Sequence, residues 1–210
     1  MEFLYRDESV TVCIKPPALV SEQTPKKDGL ADMIAEENGG YVGVVHRLDR
    51  GVGGIMVYAN TPAAAAALSR AVQTHELKKE YLAMVHGIPD DPSGTLRDLL
   101  FHDRRQNKTF VVSRERAGVK EAILDYEIIK TLESETHGAL SLILIRLHTG
   151  RTHQIRVQFA SRSHALLGDG KYGASGDRCP IALFSSRLAF PHPKTGKEMV
   201  FEAVPDWEWL

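Results

Sequence analysis

The sequence predicts an α+β fold built on a mainly antiparallel mixed sheet, flanked by helices and loops. Short apolar runs bounded by Gly, Pro or charged residues recur along the chain, whereas only three segments show helical signals. The 210 residues suffice to bury most of the apolar surface, and there is neither an internal repeat nor a long linker. We therefore expect a single domain over residues 1–210.

The N-terminal half of the chain is predicted to contain two helices among short strands. One helix is expected over 30–37, because two glycines, the first of them Gly39, follow it closely. A second helix is expected to begin after Thr61, an N-cap residue type, with Pro62 at the first helical position and alanines behind it. Apolar runs predict strands at 10–17, 41–45, 55–59 and 80–87.

The C-terminal half begins with a polar stretch and continues with longer strands. Residues 88–120 contain Pro, Gly and clustered arginines, so we expect loops or a flexible hairpin there. Strands are predicted at 122–130 and 139–148, and the second is so continuously apolar that we place it centrally in the sheet. Apolar residues about one turn apart, beginning with Ile155, predict a helix over 151–163.

Charge is distributed unevenly along the chain, although the formal net charge is only −1. Residues 97–120 carry seven basic and three acidic side chains, and residues 146–171 carry five and one, together with three histidines. The net charge argues against a generally basic nucleic-acid binder, but the two basic segments are able to form one basic face. Scattered, solvated charge is the alternative interpretation.

Several protein classes are disfavoured by composition. No apolar run approaches the roughly 20 residues that a membrane-spanning helix requires, and the first residues lack the layout of a signal peptide. We therefore expect a cytoplasmic protein without a membrane partner. The two cysteines, Cys13 and Cys179, form no CxxC motif and indicate neither a zinc site nor a disulfide framework.

The first group with potential chemistry is the segment His46-Arg-Leu-Asp-Arg-Gly51, between a predicted strand and a glycine-rich turn. Asp49 is flanked by Arg47 and Arg50, and nearby cations favour the ionised form of a carboxylate. Such a group can act as a nucleophile, a general base or a metal ligand. A structural salt bridge beside a turn is the alternative.

The second group lies where a buried strand is predicted to pass into a helix. Arg151 and Thr152 stand at the expected helix start, where backbone N–H groups favour phosphate. His148 and His153 are five residues apart, but no third ligand is evident, so we expect no metal. A capped helix with surface arginines is the alternative.

Two further segments are less specific. Lys78-Lys-Glu-Tyr81 opens an apolar run, and the basic stretch 102–116 has Phe110 among its cations. A charged strand edge with a half-buried tyrosine explains the first. A solvated loop explains the second, and a flexible arm that binds RNA is the alternative.

Taken together and in order, these motifs resemble those of the RluA family of pseudouridine synthases. The resemblance extends from about Glu2 to Val204 and includes LYRDESVTVCIKPPALV, HRLD followed by Gly54, KKEYLAMVHG, HTGRTHQIRVQFA, LLGDGKYG and FPHPKTGKEMVFEA. Two departures stand out: GVGG at 51–54, where the family commonly ends in Thr-Ser-Gly, and Leu-Phe-Ser at 183–185, where it often has Leu-His-Ala.

The resemblance implies a pseudouridine synthase catalytic-domain fold with a central cleft, and isomerisation of uridine in ribosomal or transfer RNA. Many family members have a separate N-terminal RNA-binding module, which we do not expect here because the resemblance already begins near Glu2. No cofactor or metal is expected, since the reaction involves no redox change and no atom is lost. A carboxylate near C1′ stabilises or traps the charge that develops as the glycosidic bond breaks. Attack on C1′, attack on C6 and action as a base remain open for it.

The resemblance also assigns roles to residues. Asp49 is the expected catalytic carboxylate, Arg156 would pair with it, and Tyr81 would stack on the flipped uracil and assist proton transfer. Arg47 would fill the gap left by the extruded base. The full set of expected RNA contacts is His46, Arg47, Arg104, Arg105, Arg151 and Thr152.

Two other functions remain open on sequence alone. One is a catalytically silent RNA-binding protein on the same scaffold, which the GVGG turn permits. The other is an unrelated hydrolase using Asp49 with His46, which would need a metal or a partner base. Without an added binding module, a monomer is the expected state.

Overall fold

The computed structural model describes residues 2–173 and 176–207. In that part of the chain the elements are, in order, β1 (Glu2–Arg6), β2 (Val10–Lys15), α1 (Leu30–Asn38), β3 (Gly43–Val44), β4 (Gly53–Ala59), α2 (Pro62–Gln73), β5 (Lys78–His86), β6 (Ser93–Asp103), β7 (Lys108–Val112), β8 (Val119–Ser134), β9 (Gly138–Leu147), α3 (Gln154–Ala160), β10 (Leu183–Pro191) and β11 (Glu198–Glu202). Short strands with few helices confirm the predicted α+β class. No helix within these residues has the length and apolar character needed to cross a bilayer.

The chain forms two compact units. Unit 1 combines the residues up to Glu80 with Phe184–Asp206, and unit 2 contains Tyr81–Leu183 together with Trp207. Unit 1 is therefore discontinuous in sequence, and unit 2 is almost continuous. The single domain expected over 1–210 stays a prediction.

Unit 1 is a sheet in the order β1, β2, β4, β10, β11, with β3 also paired to β4. The pairs are antiparallel except β4 with β10, which run parallel through Gly54 and Ser185. Leu68 of α2 belongs to the same buried apolar cluster as Val57 and Phe190. The sheet and α2 thus share one core.

Local signals located the helices of unit 1 correctly. The Thr61 side chain accepts a hydrogen bond from the Ala64 N–H at 3.1 Å, and α2 begins at Pro62 as predicted. Gly39 ends α1 in the left-handed region with φ +67°, a conformation that glycine adopts without steric cost.

Unit 2 is a sheet in the order β5, β9, β8, β6, β7. The continuously apolar β9 lies between β5 and β8, which confirms its predicted central position. Helix α3 packs on this sheet, with the Phe159 ring edge-on to Tyr126 at 5.7 Å between centroids.

Two expectations for unit 2 differ in detail from the structure. Of the loops or hairpin expected over 88–120, the hairpin is found: β6 and β7 pair antiparallel, and β6 also pairs with β8, so that most of the segment is regular sheet and not loop. Leu96 and Leu100 of β6 are buried, so apolar burial fixes a segment whose polar composition suggested loops. The helix predicted over 151–163 spans only α3, because His153 has φ +54° and interrupts helical geometry before Gln154.

Candidate active site

Asp49 lies in the loop between β3 and β4 of unit 1, and this loop is fastened to the segment that follows β2. The Ser21 hydroxyl donates to the Leu48 carbonyl at 2.9 Å and accepts from the Leu48 N–H at 3.1 Å. The Val52 N–H donates to the Asp49 carbonyl at 2.9 Å and closes the turn. Hydrogen bonds on both backbone groups of its neighbour thus fix the chain at Asp49, whose side chain is half-buried.

A buried lysine reinforces this loop from the interior. Lys15 is fully buried, and its ammonium donates to the carbonyls of Pro16, Leu19 and Arg50 at 3.0, 2.7 and 3.2 Å. Burial lowers the pKa of Lys15 to about 8, while the negative charge of Asp49 acts in the opposite direction. Lys15 therefore provides both a tether and a positive charge on the interior side of the Asp49 loop.

The glycine-rich turn after Asp49 is shaped by a close backbone approach. Gly54 has φ +125°, and a Cβ there would lie 2.4 Å from the Ser185 backbone nitrogen. Only glycine fits where β4 and β10 meet. The last glycine of the GVGG turn is thus required by packing.

The neighbours of Asp49 in sequence have partners of their own. The Arg47 guanidinium is exposed and donates to the Glu22 carboxylate at 2.5 Å, and the Arg50 Nε donates to the Ala18 carbonyl at 3.0 Å. These contacts join the Asp49 loop to 18–22. The Arg47 side chain is nevertheless 62% exposed, and its expected RNA contact stays a prediction.

His46 lies in the interior of unit 1, and its expected RNA contact stays a prediction. Its Nε2 accepts the Val57 N–H at 3.1 Å, and burial, followed by the charge of Lys79, lowers the pKa of His46 well below its ordinary value. Because Nε2 accepts the Val57 N–H, this nitrogen is not available to take a proton from a substrate, which argues against His46 as the residue acting with Asp49 in a hydrolase.

In unit 2, Arg156 forms a buried bidentate ion pair with Asp169. Its Nε and Nη2 donate to the two carboxylate oxygens, both at 2.8 Å, and the Asp169 side chain is 0% exposed. Asp169 also accepts the N–H groups of Lys171 and Tyr172. The planar fork of Arg156 is therefore fixed in orientation.

Tyr172 continues this arrangement toward β7. Its ring lies 5.2 Å from the Arg156 guanidinium carbon. Its hydroxyl accepts the Thr109 N–H at 2.7 Å and lies 2.8 Å from His153 Nδ1, and burial raises the pKa of Tyr172. Through Tyr172, the start of β7 in the β6–β7 hairpin is thereby joined to the start of α3 and to the Arg156–Asp169 ion pair.

The segment before α3 is occupied by side-chain contacts within the protein. The Gln154 Oε1 atom accepts the Arg151 N–H at 3.0 Å, and the Arg151 Nε donates to the Glu121 carbonyl at 2.8 Å. The Thr152 carbonyl accepts the Thr109 hydroxyl at 2.9 Å. A phosphate contact by Arg151 and Thr152 stays a prediction.

The remaining predicted residues are placed as follows. Tyr81 is buried in β5 of unit 2, with 5% of its surface exposed. Arg104 and Arg105 are exposed in the turn between β6 and β7, so this turn carries positive charge into solvent. The roles of Asp49, Tyr81 and Arg156, including the expected pairing of Asp49 with Arg156, stay predictions.

Sequence reasoning missed the residues that support the site. Four supporting residues were not singled out: Lys15, Ser21, Asp169 and Tyr172. Lys15 lies in the K-P motif, and Asp169 and Tyr172 lie in LLGDGKYG. For these three residues, the motif was the available signal.

Comparisons with known proteins agree with these motifs. Residues 9–161 match the family model described as RNA pseudouridylate synthase. An uncharacterized RNA pseudouridine synthase of Aquifex aeolicus (strain VF5) is 32% identical over 222 residues, spanning 96% of this chain and 68% of that protein. The ribosomal large subunit pseudouridine synthase D of Zymomonas mobilis (strain ATCC 31821 / ZM4 / CP4) is 31% identical over 224 residues, spanning 97% and 68%.

A solved structure shows the same fold. Human RNA pseudouridylate synthase domain containing 1 superposes with a TM-score of 0.82 at 21% sequence identity, over 97% of this chain and 83% of that one. The match to the family model covers most of the chain, and the resemblance inferred from the motifs is confirmed at this level. The chain therefore belongs to the RNA pseudouridylate synthase family, and as an RNA pseudouridine synthase it is an isomerase.

Proposed function

We propose that the protein converts specific uridines of structured ribosomal or transfer RNA to pseudouridine, with Asp49 as the nucleophile and without a cofactor. The observation that carries the proposal is the Asp49 loop, whose backbone is held by Ser21 and by the buried ammonium of Lys15. This loop lies within the residues that match the family model. A carboxylate on a fixed loop suits attack on a substrate that the protein must itself position.

The reaction breaks the N1–C1′ glycosidic bond, turns the uracil and joins C5 to C1′. Positive charge develops on the sugar as the bond breaks, and an ionised carboxylate stabilises or traps it. C5 then loses its proton, which restores the C5=C6 double bond, and N1 of the uracil gains a proton. All atoms of the substrate are retained, so the balanced reaction requires no oxidant or second substrate.

Arg156 and Tyr81 complete the proposed catalytic set. The Asp169 carboxylate fixes the Arg156 guanidinium in one plane, which suits an arginine that orients and keeps ionised a carboxylate. Tyr81 offers a ring for stacking on the uracil and a hydroxyl for proton transfer at C5. Both roles rest on the family motifs Q-I-R and K-x-Y.

RNA binding is assigned to exposed basic residues. Arg104, Arg105, Arg114 and Arg116 are exposed in the β6–β7 turn and in the loop after β7, and Arg116 lies 4.5 Å from the Phe101 ring centre. Contacts with phosphates offset the few kcal/mol that extruding a base from its stack costs. Arg47, exposed beside Asp49, is the residue proposed to fill the vacated space.

The relatives support RNA of the ribosome as the first substrate to test. The Zymomonas mobilis protein is described as a ribosomal large subunit pseudouridine synthase. Transfer RNA is the second substrate class, and both are covered by one experiment.

Pseudouridine mapping of total RNA from cells with and without the protein tests this proposal. We expect at least one ribosomal or transfer RNA site to disappear on deletion and to return with the wild-type protein. Asp49→Asn removes the nucleophilic charge but keeps the side-chain shape, so modification should fall by at least about 10³-fold.

The matched control is Asp90→Asn, because Asp90 is an exposed aspartate outside the proposed site. It should restore modification fully. If Asp49→Asn also restored modification, Asp49 would not be the nucleophile. If deletion removed no pseudouridine from either RNA class while the protein still bound RNA, the catalytically silent RNA-binding protein would be favoured instead.

A further inference from the structure

A second buried carboxylate lies next to the Arg156–Asp169 pair in unit 2 and has no role in the proposed mechanism. The Asp177 side chain is 7% exposed, and its Oδ2 accepts the Gly168 N–H at 2.9 Å. Gly168 directly precedes Asp169. We propose that Asp177 is a positioning residue: it holds the Leu167–Gly168 peptide, one residue before Asp169, and thereby the orientation of Arg156. The inference rests on the proposed role of Arg156.

Two histidines from separate parts of the unit 2 sheet hold this carboxylate. His86, the last residue of β5, donates from Nε2 to the Asp177 Oδ2 at 2.8 Å. His137, from the turn between β8 and β9, approaches the other oxygen with Nδ1 at 3.4 Å. Burial alone would raise the pKa of Asp177, but the hydrogen bonds and the two imidazoles outweigh it and lower that pKa. Asp177 is thus kept as an acceptor.

The backbone at Gly168 is closely packed and adopts a special conformation. Its φ is +76°, and a Cβ there would lie 2.1 Å from the Pro180 carbonyl oxygen. Leu167, just before it, donates its N–H to the Met84 carbonyl at 2.9 Å and accepts the Ala182 N–H at 2.8 Å. Asp177 accepts the N–H of the same peptide group whose carbonyl oxygen accepts from Ala182, at the point where the chain turns inward to bury Asp169.

The functional consequence follows from the geometry of the ion pair. Both oxygens of Asp169 are engaged by Arg156, so a rotation of the Asp169 backbone turns the guanidinium with it. Loss of the Gly168 contact would release that rotation. We expect a lower kcat with little change in KM, because the substrate contacts remain and only the alignment at the reacting atoms is lost.

The first test compares amide and guanidinium hydrogen exchange, measured by NMR, in the wild-type protein and in Asp177→Asn, and it needs no RNA. In Asp177→Asn, exchange of the Gly168 amide and of the Arg156 Nε–H should each accelerate by about tenfold, because a charged hydrogen bond is lost. The matched control is Asp125→Asn, since Asp125 also faces a histidine, His148, at 2.6 Å but has no contact with Gly168. It should leave both exchange rates unchanged.

The outcomes are distinct. Faster exchange at both groups supports the proposal. Faster exchange at Gly168 alone, or at neither group, overturns it. If Asp177→Asn does not fold, His86→Ala gives the same readout through the loss of one partner. His86→Gln, whose amide also donates, should recover part of the protection.

The second test measures kcat and KM on the RNA found by mapping. A fall in kcat alone supports positioning, whereas a rise in KM alone overturns it. Failure of the proposed function would appear as inactivity of the wild type, while the NMR result would stand.

Discussion

The Asp49 loop in unit 1 and the Arg156 pair in unit 2 each fix a charged side chain, but through different forces. The loop is fixed through its backbone, by Ser21 and by an ammonium bonded to carbonyls. Arg156 is fixed through its own charge, by a fully buried carboxylate. The backbone on either side of Asp49 is thus held by hydrogen bonds to side chains, whereas the Arg156 guanidinium is held by an ion pair.

This difference predicts unequal costs when each support is removed. Removing the partner of a buried charge lowers the free energy of unfolding by the full desolvation cost of that charge, whereas removing one donor from a backbone carbonyl lowers it less. The predictions below test that ranking, from the largest effect to the smallest.

The largest effect is expected at Asp169. Asp169→Asn removes the charge of the buried carboxylate that faces the Arg156 guanidinium, so the free energy of unfolding should fall by about 3–5 kcal/mol. Urea unfolding measures the change. Glu121→Gln is the control, because its pair with Arg97 is largely exposed and should be worth less than about 1 kcal/mol. Equal losses in both variants would contradict the comparison.

The second effect concerns Lys15. Lys15→Met leaves three carbonyls without their donor, and the free energy of unfolding should fall by about 2–3 kcal/mol at neutral pH. Modification of RNA should fall too, since Arg50 follows Asp49 directly. The exposed Lys26→Met serves as the control and should change stability by less than about 0.5 kcal/mol.

The free energy of unfolding of the wild type, compared with that of Lys15→Met, should depend on pH. The folded pKa of Lys15 is about 8, against an ordinary value of 10.5. Below pH 8 both states carry the proton, and the cost of burying the charge is present in full. Between pH 8 and pH 10.5, Lys15 keeps its proton in the unfolded chain but not in the folded protein. The stability of the wild type relative to Lys15→Met should therefore rise with pH in this range. A flat difference would contradict the lowered pKa.

The smallest effect is expected from the exposed charges of unit 2. Reversal of Arg104, Arg105, Arg114 and Arg116 to Glu should weaken RNA binding by at least about tenfold and flatten its dependence on salt. Filter binding at several salt concentrations measures both. Reversal of Lys26, Lys27, Lys194 and Lys197, four exposed lysines of unit 1, changes the net charge equally. An equal effect of both variants would refute a specific RNA face.

Parts of the fold with local signals could be predicted from the sequence. Thr61 and Gly39 marked helix ends because their side chains or backbone freedom act within a few residues. The central position of β9 followed from its apolar run. By contrast, β6 obtains its order from pairing with β8, and α3 begins late because His153 adopts a positive φ before Gln154. Neither effect is visible in local composition.

The candidate site shows the same division. Motifs were sufficient to select Asp49, Tyr81 and Arg156. They could not reveal Asp169 as the partner of Arg156, or the carbonyls around Lys15, because those contacts depend on how distant loops meet. His46 was selected for its motif and chemistry, yet it serves the interior through the Val57 N–H.

The contact of Gly54 with Ser185 has a consequence for synthesis of the chain. The turn after Asp49 packs against a strand that the ribosome adds more than a hundred residues later. Unit 2, being nearly continuous, can fold while the polypeptide is still emerging, but unit 1 cannot close until β10 has left the exit tunnel. A nascent protein would thus acquire its β6–β7 hairpin and Arg156 pair first, and become competent to modify RNA only after β10 has emerged.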